Sequence, residues 1–174
     1  MIGILTLFSC GTSTDTDKDT VSATTIKKEL PHLYIHIDSV DMVGISMLRE
    51  TALKQQIITA SEKKKFLALV GEEQSDSAKI RLKGDWTDHL VGEKWSFRIK
   101  MKSNHFLNRK QFSIQAPNTR NFLKEWLFHK ILLEEGILTT KYEFINVTIN
   151  GVNKGVYAFE EHFKKELLAF QNRR

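Results

Sequence analysis

The chain of 174 residues has one cysteine, two prolines and no aspartate beyond Asp88. A single cysteine excludes an internal disulfide framework. Two prolines and the absence of internal repeats argue against a linker-rich or solenoid protein. No apolar run reaches the roughly 20 residues that a helix needs to span a bilayer. Arginine-rich blocks and nucleic-acid motifs are missing too, so nucleic acid is not an expected partner. The six histidines are scattered; His32 and His36 stand four apart in a predicted strand, where they share no helical face, and no zinc site is expected. No spacing suggests a Ser/His/Asp set. What is present is ordinary: 41% hydrophobic residues, enough for one domain with a core, and a net charge of +5. That mild basic excess suits anionic small molecules, anionic lipid or an acidic protein.

The N-terminus carries an address. Met1 to Cys10 is short and apolar, and Leu7-Phe8-Ser9-Cys10 resembles the lipobox of bacterial lipoproteins. In that reading residues 1–10 are a signal peptide and Cys10 is lipidated, which anchors the chain to a membrane of the cell envelope. Residues 11–30 begin Ser/Thr/Asp-rich and unpatterned, as a disordered tether should be. The alternative is a frayed terminus with a buried free cysteine. The globular domain is expected over 31–174.

Its organising stretch is Ala78 to Lys102. Trp95, Phe97, Ile99 and Met101 alternate with Ser96, Arg98, Lys100 and Lys102. Upstream, Ile80 and Leu82 alternate with Lys79, Arg81 and Lys83. A period of two predicts two strands, each apolar on one face and cationic on the other. They bracket the polar loop from Gly84 to Glu93. The pattern reads as a cradle for an anion, or as a twisted hairpin with a solvated face. The dense polar run Asp85 to His89 reads as a hydrogen-bonded loop, or as a contact for a metal or substrate.

Elsewhere, strands are predicted over 32–37, 63–70 and 111–115, and a helix from Ser39 or Asp41 to about Gln55, interrupted in pattern by Gly44. Asn118 or Thr119 should cap the longest apolar helix, ending at Glu135 with Gly136 as terminator. Glu125 reads as exposed, or as paired with a lysine of the sheet. Asn150-Gly151 between two apolar runs predicts a tight type I′ hairpin, and Gly155 a bulge in its return strand. A last helix is predicted over 163–170. The fold class expected is α+β: a mainly antiparallel sheet with one long packed helix over 118–135.

Four segments in order carry a resemblance. They are Arg81-Leu82-Lys83-Gly84-Asp85-Trp86; Lys94-Trp95-Ser96-Phe97-Arg98-Ile99-Lys100; Thr119-Arg120-Asn121; and Asn150-Gly151-Val152-Asn153-Lys154-Gly155-Val156-Tyr157 with Glu160. Together they resemble the spore coat protein H (CotH) kinase family from about Leu33 onward. The resemblance implies an atypical kinase-like fold, binding of ATP with Mg or Mn, and phosphorylation of serine on envelope or secreted proteins. It implies a cofactor site built from Lys83, Gly84, Lys94, Arg98, Lys100 and Glu160. Lys100 is the first candidate for a phosphate contact, Gly84 admits a close backbone approach, and Glu160 or Glu125 orients the lysine. Arg120 is expected to tie the helix start to the sheet. Carboxylates for the base and the metal come later in this family, so a chain ending at residue 174 is expected to be truncated and inactive alone. The alternative function is a non-catalytic envelope or surface-assembly lipoprotein that uses the fold for binding.

Overall fold

The computed structural model of the chain describes residues 29–72 and 74–172. The expected signal peptide, Cys10 and nearly all of the expected tether lie outside the described residues. Strand β1 (His32–His36) leads into helix α1 (Ser39–Gln55). Strands β2 (Phe66–Gly71), β3 (Ser75–Leu82), β4 (Phe97–Met101) and β5 (Gln111–Gln115) follow. A 3₁₀ turn (Pro117–Arg120) precedes helix α2 (Leu123–Glu134). Strands β6 (Tyr142–Ile149) and β7 (Val152–Glu161) and helix α3 (Lys165–Phe170) complete the chain.

The seven strands close into a barrel in the order β1-β2-β3-β4-β5-β7-β6. This corrects the expected α+β sheet with one long packed helix. Closure depends on β1, which pairs antiparallel with β2 and parallel with β6. His32 lies opposite Asn146 across that parallel seam. Local periodicity marks β1 as a strand but is blind to a partner more than a hundred residues away. The Asn-Gly turn reinforces the seam, since the Asn150 side chain accepts from Ile37 N (2.7 Å) and donates to Ile37 O (3.0 Å). As expected, Asn150 and Gly151 both have positive φ (48° and 78°). The β6–β7 register shifts between Val147 and Thr148, opposite Gly155 and Asn153, which is the predicted bulge.

Alternate residues of every strand fill the barrel. Leu33, Val70, Ile80, Ile99, Phe112 and Ile145 are fully buried. Phe106, Phe112 and Phe159 form an aromatic cluster with ring centroids 5.0–5.9 Å apart. A barrel of this size is packed with side chains and leaves no channel. Helix α1, capped by Asp38 through Val40 N (2.8 Å), buries Ile45 and Ala52 against it. Gly44 explains itself here: a Cβ would stand 3.0 Å from the Phe66 ring, so glycine lets the helix lie down on β2.

The predicted helix over 118–135 is broken. Asn121 and Phe122 take positive φ (52° and 56°) between the 3₁₀ turn and α2. No residue of α2 is buried, and Leu123, Leu127, Phe128, Ile131 and Leu133 are exposed. Apolar residues surround this helix instead of forming one stripe, so their abundance says little about which side packs. Phe112→Ala should therefore cost about 3–5 kcal/mol of unfolding free energy in urea titrations, and Leu133→Ala less than about 0.5 kcal/mol. Equal losses would contradict this division between core and surface.

Candidate functional site: a buried lysine in a basic cavity

Since the interior is largely apolar, with Glu161 paired to Arg109 as a buried exception, most of the polar chemistry lies on the outer face. Leu82 ends β3 pointing inward, so Lys83 points out. Its amide still donates to Ser96 O (3.0 Å), which extends the β3–β4 ladder by one step. Outward normally means solvated, yet Lys83 is only 7% exposed. The outer faces of β5 and β7 explain this. Gln115 presents Oε1 to Lys83 Nζ at 2.6 Å, and Glu160 forms an ion pair with the same ammonium. Gln115 then donates from Nε2 to the Tyr142 hydroxyl (3.3 Å). Burial lowers the Lys83 pKa, and Glu160 opposes that shift. Burial alone would raise the Glu160 pKa, but the charge and hydrogen bond of Lys83, with Arg120 and His162 behind them, hold it below the usual range.

The pair opens onto a cavity of about 370 Å³. Its cationic wall is Arg81, Arg98 and Arg120, and its rim is the Lys63–Asp85 ion pair. The Arg98 and Arg120 side chains make no hydrogen bond or ion pair among the described residues. Asp88 also lines the cavity without an ion pair among them. Behind the wall, His89 is buried with Nδ1 3.1 Å from Ser96 Oγ, and burial depresses its pKa. Gly84, at φ +108°, lies against the His89 ring; a Cβ there would stand 2.5 Å from Cδ2.

The structure thus brings together Lys83, Gly84, Arg98 and Glu160. Glu160 meets Lys83 and not Lys100, and Glu125 instead lies 3.6 Å from His129 one turn along α2. Lys100 lines a neighbouring cavity of about 370 Å³, which shares Arg81 and Arg98 with the first. Lys94 lies elsewhere: its Nζ donates to Val156 O (3.0 Å), beside an apolar cavity of about 800 Å³ lined by Phe122, Leu123, Phe144 and Val156. Sequence reasoning assigned Arg120 to the helix start and passed over Gln115. Arg120 follows a proline that opens a 3₁₀ turn, and that turn aims it at the cavity. Gln115 belongs to a short strand whose outer face gave no charge to notice.

A sequence profile of the CotH kinase protein family matches residues 80–173, more than half of the chain. The chain belongs to the CotH kinase protein family. Comparison with curated proteins gives no match. The CotH match runs from the end of β3 through β7, and so takes in every residue named around Lys83 except Lys63. Strands β1 and β2 precede it, and they close the same barrel.

His162, just past β7, lies with Nε2 3.1 Å from Ser113 Oγ. Burial first, and then Arg98, push its pKa down to about 4. The folded value lies below the unfolded value near 6.5, so neutral His162 stabilises the fold above pH 6.5, and that contribution is lost as pH falls toward 4. The loss by pH 5 is about 2 kcal/mol. His89 acts in the same direction. The melting temperature should fall from pH 7 to pH 5, and His162→Gln should flatten the slope; an unchanged slope would remove His162 as its source.

Proposed function

We propose that this chain holds ATP for a CotH-type protein kinase that phosphorylates serine on envelope or secreted proteins, from a membrane anchor at Cys10. The observation that carries the reading is the Lys83–Glu160 pair. It fixes a nearly buried ammonium in a cavity where the Arg98 and Arg120 side chains form no ion pair among the described residues. Phosphoryl transfer depends chiefly on positioning and on charge stabilisation, and cations set in a partly dry cavity supply both. Glu160 orients Lys83 without neutralising the wall.

The dimensions support a nucleotide. Val156, at the apolar cavity, and Glu160 lie on the same outer face of β7, four residues apart. At strand rise that is about 13 Å, comparable to the reach from a base to its terminal phosphate. In this arrangement the base lies against Phe144 and Val156, and the phosphates against Lys83, Arg98 and Arg120. Lys94 stands at the apolar end.

Mg or Mn accompanies ATP in this reading. Among the described residues no three His, Cys, Asp or Glu side chains stand together to hold a metal. Glu160 and Asp85 are committed to Lys83 and Lys63. The described residues do not fit a resident metal.

Mg-ATP near 100 times its dissociation constant should stabilise the chain by about 2.7 kcal/mol, a melting shift of several degrees. Lys83→Met and Arg98→Ala/Arg120→Ala should each remove most of that shift. A wild-type chain that shows no nucleotide-dependent shift overturns the reading.

A further inference from the structure

The neighbouring cavity is built from like charges. Lys79 lies directly opposite Lys100 in the β3–β4 register, and Arg81 directly opposite Arg98. Directly opposed side chains in a sheet stand about 5 Å apart at Cβ, where like charges repel. Phe66 faces Ile80, so one further step puts Lys65 beside Arg81. Lys164 closes the far side, and no carboxylate lines the cavity. Six cations therefore surround about 370 Å³ with no carboxylate among the lining residues, the nearby Asp85 acting on Arg81 and Arg98 from the adjoining cavity. Some cations elsewhere are ion-paired, among them Lys63 with Asp85, Lys83 with Glu160, Arg109 with Glu161 and Lys141 with Glu143, whereas none of these six is among the described residues. These six share one concave face, and it meets the Lys83 cavity at Arg81 and Arg98.

We propose that this face docks an extended, anionic segment of the acceptor protein, with carboxylate or phosphate side chains at alternate positions. The proposal rests on the kinase reading for the word acceptor, but its physical basis is separate. Cations on β3 and β4 recur every second residue, a repeat of about 6.6 Å along the strand. An extended peptide presents its alternate side chains at the same repeat. Arg98 sits where the two cavities meet, so a serine beside the anionic run lies next to the phosphate-binding wall. A peptide is favoured over single-stranded nucleic acid because no Phe, Tyr or Trp lines the cavity as a platform for a base.

The test is fluorescence anisotropy on the full chain, using labelled twelve-residue peptides of alternating Asp-Ser, phosphoserine-Ala and Lys-Ser, and an oligothymidylate of matched charge. Both anionic peptides should bind and the Lys-Ser peptide should not; the two anionic arms rank carboxylate against phosphate. Lys79→Ala/Lys100→Ala should weaken anionic-peptide binding at least tenfold and leave the Mg-ATP shift intact. The same variant should melt about 1–2 °C higher, because two opposed like charges are gone. Lys83→Met should show the converse, with ATP lost and peptide retained. Absent peptide binding, binding indifferent to Lys79 and Lys100, or tighter binding of the oligonucleotide would each overturn the proposal. A chain that binds anionic peptide but not ATP keeps this face and loses the kinase reading.

Discussion

The parallel seam between β1 and β6 closes the barrel, and closure settles where chemistry can occur. With seven strands joined, inward side chains enter one largely apolar interior, and the aromatic cluster of Phe106, Phe112 and Phe159 fills part of it. No inward position is left for a charge that lacks a partner. The outward positions of β3, β4, β5 and β7 inherit the polar residues, and their register decides which of them meet. Arg98 faces Arg81 on one side and Ser113 on the other, and Ser113 faces Glu160.

Burial of Lys83 follows from that register and not from its own strand. A lysine just past β3 has no local reason to be dry. Gln115, Glu160 and Tyr142 come from three other strands and assemble over it. An ammonium removed from water in this way is worth keeping only if it is hydrogen-bonded and paired, and Lys83 is both. Gly84 completes the arrangement by letting the chain turn against the His89 ring, a contact that any Cβ would block.

Alternation made much of this legible in the sequence. The β3 and β4 faces, the Asn150-Gly151 hairpin and the bulge near Gly155 were readable because each depends on neighbours within a few residues. Closure was not, because β1 finds β6 across the length of the chain. The break before α2 was not, because Asn121 and Phe122 both adopt positive φ, which asparagine tolerates and phenylalanine rarely does. At the site, the cations were visible as a set, but which ones share a cavity is a matter of register. Lys83 meets Glu160, whereas Lys100 falls one cavity away and Lys94 bonds to β7.

A barrel with every strand paired on both sides offers no free edge to an incoming chain. Recognition by strand addition, in which a partner's backbone zips onto an open sheet, is closed to these seven strands. Whatever polypeptide this domain engages through them must be held by side chains laid across the outer wall. Its selectivity then lies in charge and spacing, and little in main-chain complementarity.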